Sequence, residues 1–361
     1  MQHHFIQKSL FLISVCFSLL VLLSCSEQKV TDKPQDQTSD KTLSLAKWFE
    51  ANGNYINSDE VPSIVDAQLV YALRDENIMV IDLRPTEEFN DGHIEHAINI
   101  QPSQVLDFFK NDVEPSSFKG IFFVCNDMSI SGYVTGIMRL LGYDNVYAIR
   151  YGMSGWSREV AEKFWLENIS NLLLGKLETK GYPRNEPGEL PVIDAERDSE
   201  YDIALEQAEK MLQNTESINI TIAELLENPE AYYIICYWPE DKYFNNGHLP
   251  GAVQYDPRKS FGLNMYLNTL PVDKPVVVYC YAAQHSIFVV AYLRMLGYDA
   301  KSLNYGANAF IHEVIAKTEP RPTRTFTENL IQDFPIVRSG FVEPEKPVLI
   351  KKEEIKIVGG C

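Results

Sequence analysis

Short apolar runs alternate with stretches of helical spacing along most of the chain. Residues 78–83, 232–237 and Val276–Tyr279 are almost continuously apolar, a pattern typical of parallel strands buried on both faces. Helical spacing is found at 66–73, 222–226 and 287–296, and further short strands are predicted at 146–149 and 301–303. Strands that alternate with helices predict an α/β fold, in which functional loops lie at the carboxyl ends of the strands.

Two predicted strands end at a cysteine that is followed by a loop and a helix. Val276–Tyr279 leads into Cys280, six loop residues follow, and the helical pattern then runs to Gly297. Residues 121–124 lead into Cys125 in the same way. The first N–H groups of such a helix point at the sulfur and favour a thiolate and bound anions. A buried, unreactive thiol is the alternative, because free cysteine is among the most buried residue types.

The chain repeats itself with an offset of 155 residues. His93 lies 32 residues before Cys125, and His248 lies 32 residues before Cys280. The separation from each cysteine to the glycine that ends its helix is also equal, at 17 residues. Repeated landmarks at fixed spacing indicate a duplicated domain of roughly 105–115 residues.

The first 24 residues contain one charged side chain, Lys8, and an apolar run from 11 to 23. This is the pattern of a secretory signal peptide, too short to predict a membrane span. It ends in Leu-Leu-Ser-Cys at Cys25, which resembles a bacterial lipobox and implies a diacylglyceryl group on that sulfur. We therefore expect an exported protein, lipid-anchored at the bacterial cell envelope on the periplasmic or outer face of a membrane. An ordinary cleaved signal and an uncleaved anchor are the alternatives.

Charge and cysteine spacing limit the classes of partner. The formal net charge of −18 argues against nucleic acid and against electrostatic docking on anionic lipid. The six cysteines show no CxxC pair and no Cys/His ligand spacing, so no metal site is expected. No cofactor is expected either.

The ordered motifs resemble the rhodanese (sulfurtransferase) family, present twice in tandem. The first copy has Val-Ile-Asp-Leu-Arg ending at Arg84, Gly-His-Ile around His93, and a strand into Cys125. The second copy has Gly-His-Leu around His248 and a strand into Cys280. The resemblance implies two tandem rhodanese-like α/β domains, each a mainly parallel sheet flanked by helices.

The resemblance also implies a sulfurtransferase that holds sulfane sulfur as a persulfide on Cys280 and on Cys125. The donor would be thiosulfate or another small sulfur anion or persulfide, and the acceptor a thiol or a protein. The loop residues that would bind the donor are Tyr281, Ala282, Ala283, Gln284, His285 and Ser286 in the second copy and Asn126, Asp127, Met128, Ser129, Ile130 and Ser131 in the first.

Both loops depart from the pattern of active family members, which usually have Gly three residues after the cysteine and Arg or Lys about five after. The first copy has Met128 at the glycine position, and Asp127 beside it should raise the pKa of the thiol and repel an anionic donor. The second copy has Ala283 and His285, with no acid in the loop. Cys280 is therefore predicted to be the better nucleophile.

Two other functions remain open for such loops: catalytically weak or inactive modules that bind or scaffold a partner, and a thiol redox protein. Cys236 ends a predicted strand, as Cys280 does, and Cys361 is the last residue, after two glycines. Both are candidate relay thiols. Cys236 would take sulfur from Cys280 or form a disulfide with it, and Cys361 would take sulfur from Cys280 or Cys125. Unreactive spectator thiols are the alternative.

Four further residues are expected to be structural. Asp82 and Arg84 should pair with each other and with nearby loop groups, whereas the second copy has Cys236 and Trp238 in their places. The histidine of each Gly-His motif is expected to hold a turn rather than to act as a base.

The predicted organisation divides the chain into six parts. These are a signal peptide at 1–24, a lipid-anchored tether at 25–50, rhodanese-like domain 1 at 51–165, an inter-domain linker with a helix at 166–214, rhodanese-like domain 2 at 215–318 and an extended C-terminal tail at 319–361. Within the linker region we expect helices at 164–173 and 194–213 with an irregular stretch between them.

Overall fold

The computed structural model describes residues 37–338, with side chains from residue 41 onward. The first sheet consists of β1 (Ile64–Val65), β2 (Ile78–Asp82), β3 (Ile98–Asn99), β4 (Gly120–Val124) and β5 (Val146–Ile149). The second consists of β6 (Asn219–Ile220), β7 (Tyr233–Cys236), β8 (Val253–Gln254), β9 (Val276–Tyr279) and β10 (Ala300–Leu303). Both sheets are parallel and have equivalent strand orders, β1-β5-β4-β2-β3 and β6-β10-β9-β7-β8. The predicted tandem α/β fold is confirmed.

Helices connect the strands in both halves. The first half has α1 (Gln37–Ala51), α2 (Ala67–Ala72), α3 (Thr86–Asp91), α4 (Val105–Asn111), α5 (Ser129–Leu140), α6 (Met153–Trp156) and α7 (Arg158–Ala161). The second half has α8 (Glu200–Gln213), α9 (Ile222–Glu227), α10 (Glu240–Asn246), α11 (Ser286–Met295) and α12 (Asn308–Thr318). Among the described residues, no helix is long and apolar enough to cross a membrane.

Alternate residues of the central strands fill two different cores. Ile81 and Phe123 belong to a core that extends through both domains, whereas Val80 and Phe122 pack into a second core together with Trp156. All five side chains are buried. A sheet with buried side chains on both faces accounts for the continuous apolar runs in the sequence.

The two cysteine helices, α5 and α11, pack against each other between the domains. A Cβ on Gly132 would lie 2.7 Å from Ile287 Cγ2, and one on Gly136 would lie 3.1 Å from Ala291 Cβ. Glycine therefore allows the close approach of the helices. Gly132 and Ile287 are equivalent positions in the two copies, as are Gly136 and Ala291. The domains thus meet with approximate twofold symmetry, and both cysteine loops lie at their boundary.

A segment that follows the first domain lies on the second. Glu178 N–H donates to His248 O at 3.0 Å, and His248 N–H donates to Glu178 O at 2.9 Å. Nearby, Arg184 Nη2 donates to Gln254 Oε1 at 2.8 Å. We call residues 177–184 the linker arm.

A segment that follows the second domain returns to the first. Val337 N–H donates to His93 O at 2.8 Å, and His93 N–H donates to Val337 O at 3.0 Å. The Phe334 ring stacks on Tyr71 with centroids 4.1 Å apart. We call residues 332–338 the tail arm. Because His93 and His248 are equivalent positions, the two domains exchange equivalent extensions.

The chain is helical where the sequence predicts the last part of a tether. From Gln37 onward the range 25–50 forms α1, in which Leu45 and Phe49 are buried. Lys41 Nζ donates to Ala195 O at 2.8 Å, next to α8. Apolar residues at helical spacing supply a face that can be buried, so the tether prediction is wrong for 37–50. The predicted signal peptide, Cys25, Cys361 and residues 339–361 lie outside the described residues.

Two predicted helices are shorter than expected. Over 194–213 the helix begins only at Glu200, because Ser199 Oγ accepts the Asp202 N–H at 3.2 Å and caps it there. Over 164–173 the structure has a π-helical turn, Glu162–Leu166, and no continuing helix. The Ser170 N–H donates instead to Asn308 O of the second domain at 2.9 Å.

Candidate functional site

Cys280 lies directly after β9, where a short loop turns into α11. The residue is 1% exposed. A second turn holds the loop from behind: Ala307 N–H donates to Cys280 O at 3.0 Å, and Asn308 N–H donates to Tyr281 O at 3.2 Å. Gly306 permits this approach at φ +55°, since a Cβ there would overlap Cys280 O. The backbone around the sulfur is therefore held in one conformation.

Cys125 occupies the equivalent place after β4, and its thiol is held in the neutral form. Its Sγ lies 3.7 Å from Asp127 Oδ1 and 3.4 Å from Ser131 Oγ. Burial is the largest cause and the Asp127 carboxylate the next, and together they raise the pKa of Cys125 to about 12. The effect expected of Asp127 is therefore present, although burial is larger.

The third residue after each cysteine has a left-handed backbone. Met128 has φ +82° and Ala283 has φ +57°. These are the positions at which the resemblance leads us to expect glycine, which adopts such angles without strain. The loops therefore follow a path that suits glycine but use residues for which this conformation costs roughly 1–2 kcal/mol.

The two loops approach each other at the domain boundary. A cavity of about 10 Å³ is lined by Asp127, Met128, Trp165, Ala282, Ala283 and Tyr305, among others. It has room for about one water molecule. In the described part of the chain, no group of three or more His, Cys, Asp or Glu side chains is arranged to hold a metal ion.

Each cysteine also has a tyrosine of the other domain near it. Burial raises the pKa of Tyr305, and the nearby Asp127 and Cys125 of the first domain raise it further. Burial likewise raises the pKa of Tyr151, which lies near Cys280 of the second domain. Each cysteine loop therefore has a tyrosine of the other copy beside it.

A buried arginine from the first domain contacts the Cys280 loop. Arg150 Nη1 donates to Gln284 Oε1 at 2.5 Å, and its Nε donates to Asp66 Oδ1 at 2.6 Å. Asn304, which like Arg150 directly precedes a Tyr-Gly pair, lines the cavity together with Asp127. The second loop thus has a guanidinium beside it, whereas the first loop contains a carboxylate.

A segment after α12 covers part of the Cys280 loop. The Tyr281 ring stacks on Trp238, with centroids 4.6 Å apart, and the Arg324 guanidinium lies 4.7 Å from the Tyr281 centroid. Tyr151 Oη donates to Pro322 O at 2.5 Å. We call residues 319–327 the strap. It connects the Cys280 loop to the first domain.

Cys236 is the last residue of β7, which pairs with the strand that leads into Cys280. The register of β7 and β9 sets Cys236 opposite Tyr279. Burial is the largest cause that raises the pKa of Cys236, and Cys280 is near enough to raise it further. The Tyr279 hydroxyl lies close to the Cys236 sulfur. Cys125 and Cys236 form no disulfide, and the relay role of Cys236 stays a prediction.

The expected pairing of Asp82 and Arg84 is present. Arg84 Nη2 lies 2.7 Å from Asp82 Oδ2 and donates to Gly92 O at 2.7 Å, and both side chains are buried. His93 Nδ1 lies 2.8 Å from a backbone oxygen, and the two ring nitrogens of His248 lie 2.9 and 3.0 Å from others. These contacts fit structural roles at the two turns.

Sequence reasoning missed three residues that surround the Cys280 loop, namely Arg150, Tyr151 and Arg324. Two come from the other copy and one from beyond the repeat, so no local spacing connects them with Cys280. The one available signal was the Tyr-Gly pair that recurs as Tyr151-Gly152 and Tyr305-Gly306.

Comparison with known proteins places both cysteine loops within matched segments. A family model described as Rhodanese-like domain matches residues 66–159 and 184–313. The uncharacterized protein YibN of Escherichia coli (strain K12) is 24% identical over 102 residues, which span 28% of this chain and 71% of YibN. Thiosulfate sulfurtransferase GlpE of Pseudomonas entomophila is 28% identical over 93 residues, which span 26% of this chain and 82% of GlpE. The crystal structure of thiosulfate sulfurtransferase from Pseudomonas aeruginosa is 14% identical, with 76% of this chain and 47% of that chain covered and a TM-score of 0.27.

Proposed function

The chain belongs to the rhodanese-like domain family, and from that premise we propose that it is a membrane-anchored sulfurtransferase that carries sulfane sulfur as a persulfide on Cys280. The observation that carries this proposal is the difference in charge between the loops. The Cys280 loop contains no acid and is contacted by the buried Arg150, whose guanidinium also pairs with Asp66 outside the loop. A positive charge in a poorly solvated site favours a thiolate and an anionic donor.

The proposed reaction has two displacement steps. The Cys280 thiolate attacks the outer sulfur of thiosulfate; a new S–S bond forms, the donor's S–S bond breaks, and sulfite leaves with the electron pair. An acceptor thiolate then attacks the outer sulfur of the Cys280 persulfide. The acceptor becomes a persulfide and Cys280 leaves as a thiolate. A persulfide donor would react in the same way, with a thiolate as its leaving group.

We assign Cys125 a smaller share of sulfur transfer. Its thiol is kept neutral by burial and by Asp127, which raise the pKa of Cys125 to about 12. The thiolate is the nucleophile, so little of the reactive form is present near neutral pH.

The alternative is a pair of binding modules without transferase activity. The burial of both sulfurs favours it, because Cys125 is 3% exposed and Cys280 is 1% exposed. A sulfurtransferase of this structure requires an opening motion before a donor can reach Cys280.

The test is to incubate the purified full chain with thiosulfate, and separately with a polysulfide, and to map adducts by peptide mass spectrometry. Chains with Cys280→Ser or Cys125→Ser are treated in parallel. We expect a one-sulfur adduct on Cys280 that persists in the Cys125→Ser chain. No adduct on any cysteine would support the binding modules, and disulfides alone would support a redox protein.

We propose that the anchor is a lipid on Cys25, as the signal sequence predicts. Replacing Cys25 with Ser should move the protein from the detergent phase to the aqueous phase in a Triton X-114 partition of bacterial extract. Equal partition of both proteins would contradict the anchor and would leave the proposed reaction untouched.

A further inference from the structure

Gln284 has a buried amide of which only one end is used. The residue is 2% exposed, and its Oε1 accepts from Arg150 Nη1 at 2.5 Å. Its Nε2 is buried and makes no hydrogen bond. Buried polar groups are nearly always paired, and an unpaired donor is costly to keep. An amide of this kind in a cysteine loop points to a ligand that is bound only during the reaction.

Arg150 determines which polar atom of the Gln284 amide has no hydrogen bond. A guanidinium has donors and no acceptor, so only the oxygen of Gln284 can face it. Arg150 is itself fixed, because it is 4% exposed and its Nε donates to Asp66 Oδ1 at 2.6 Å. The unpaired group is therefore Nε2, a donor, and it is directed away from the guanidinium.

The Tyr151 hydroxyl is another polar group beside this amide. It donates its proton to Pro322 O at 2.5 Å. Burial raises its pKa and the Gln284 amide beside its oxygen lowers it, although Nε2 makes no hydrogen bond of normal geometry. Tyr151 lies close to both Gln284 and Cys280. The free donor therefore lies in the neighbourhood of the sulfur, in the loop that connects Cys280 to α11.

The first copy has no spare donor at the equivalent position. Ser129 corresponds to Gln284, and both its N–H and its Oγ donate to Asp127 Oδ1, at 2.9 and 2.6 Å. The position of Arg150 is taken by Asn304. The unpaired donor is thus specific to the loop with the better nucleophile.

We propose that Gln284 binds the transferred sulfur: its Nε2 donates to the anionic outer sulfur of the Cys280 persulfide, and Arg150 is the positioning residue that orients it. This inference rests on the proposed sulfurtransferase function and names the group that recognises its sulfur anion. The outer sulfur is anionic in thiosulfate and stays anionic in the persulfide, while sulfite leaves with the electron pair. A donor already in place stabilises that anionic sulfur through the transfer.

The experiment measures the rate at which Cys280 gains one sulfur from thiosulfate, in full-length chains carrying Gln284→Met, Gln284→Glu or Arg150→Met. Gln213→Met, at the exposed end of α8, is the matched control. Gln284→Met removes the donor, and we expect the rate to fall about 10²-fold, the size of effect found when one preorganised donor to a reacting anion is lost. Gln284→Glu keeps a partner for Arg150 and hence the fold, but it removes the donor and should slow the reaction at least as much.

Arg150→Met should lower kcat with a smaller effect on KM, and Arg150→Lys should restore part of kcat, because lysine can still donate to Gln284 Oε1. Thermal unfolding midpoints show whether each variant is folded. If the unaltered chain gains sulfur on Cys280 and both Gln284 variants do so equally fast, the role of Gln284 is refuted while the transferase survives. If the unaltered chain gains none, the proposed function fails first, and this inference fails with it.

Discussion

Cys125 shares its loop with a carboxylate, whereas Cys280 has a guanidinium from the first domain beside its loop. We predict that Asp127→Asn lowers the pKa of the Cys125 thiol from about 12 but leaves it above that of an ordinary cysteine, because burial is the larger cause. The check is the pH profile of iodoacetamide labelling at Cys125, read by peptide mass spectrometry. Asp112→Asn, an exposed residue at the end of α4, is the control.

The same raised pKa sets a pH dependence of stability. A group whose pKa is higher in the folded chain contributes stability that is complete at low pH and is lost as pH rises through the folded value. For Cys125 the loss falls between the ordinary thiol range and about pH 12. Asp127→Asn should make this alkaline loss smaller in urea titrations, and an unchanged loss would contradict the assigned effect of the carboxylate.

Ala283 offers a direct measure of loop strain. With φ at +57°, Ala283→Gly should leave the chain equally stable or raise its free energy of unfolding by up to about 1 kcal/mol. Ala72→Gly, at the exposed end of α2, should instead lower it by about 0.5–1 kcal/mol. Urea denaturation compares the two, and a clear loss with Ala283→Gly would mean that this loop conformation is not strained.

At the residue scale, the sequence predicted the position of both cysteines and the effect of Asp127, because these follow from neighbours within a few residues. It did not predict Arg150 or Tyr151 beside the Cys280 loop. Those contacts arise from the approach of two domains, and spacing within one repeat contains no information on which side chains meet across a boundary.

Among the elements, the end of β2 depends on a buried ion pair. Asp82→Asn should lower the free energy of unfolding by about 3–5 kcal/mol, because Arg84 would keep a buried charge without its partner. The exposed Asp75, 3.5 Å from Arg74, is the control, and its Asn variant should change stability by less than about 1 kcal/mol. Equal effects in urea denaturation would show that the Asp82 pair has no special structural role.

Element types followed from the sequence more closely than element ends. Continuous apolar runs identified the central strands, since burial on both faces leaves few alternatives. The predicted start of α8, at Asp194, lies six residues before the observed start at Glu200. Charged residues at helical spacing extend back to Asp194, but the Ser199 cap sets where the helix begins. The helix expected at 164–173 was lost to backbone hydrogen bonds with the other domain, which no local pattern reveals.

At the scale of the whole molecule, the duplication was readable but the exchange of arms was not. The linker arm and the tail arm are irregular segments, and composition describes such segments only as loops. We predict that cutting the chain between the exposed Glu186 and Pro187 leaves two fragments that stay together, because each fragment keeps an arm on the other's domain. Size-exclusion chromatography after proteolysis at an inserted site checks this.

A chain that ends at residue 331 serves as the control for that cut, since it lacks the tail arm. Its fragments should separate more readily than those of the full chain. Full-length fragments that elute apart without denaturant would show that the arms do not hold the domains together.

The exchange of arms also bears on cooperativity. When one domain unfolds, the domain that stays folded loses two contacts. These are the backbone pairing at its histidine, His93 or His248, and the tyrosine beside its cysteine. The intermediate with one folded domain is therefore poorly stable. Two domains by architecture should therefore melt as a single thermodynamic unit. Scanning calorimetry should show one transition whose calorimetric and van't Hoff enthalpies agree, and two resolved transitions would contradict this.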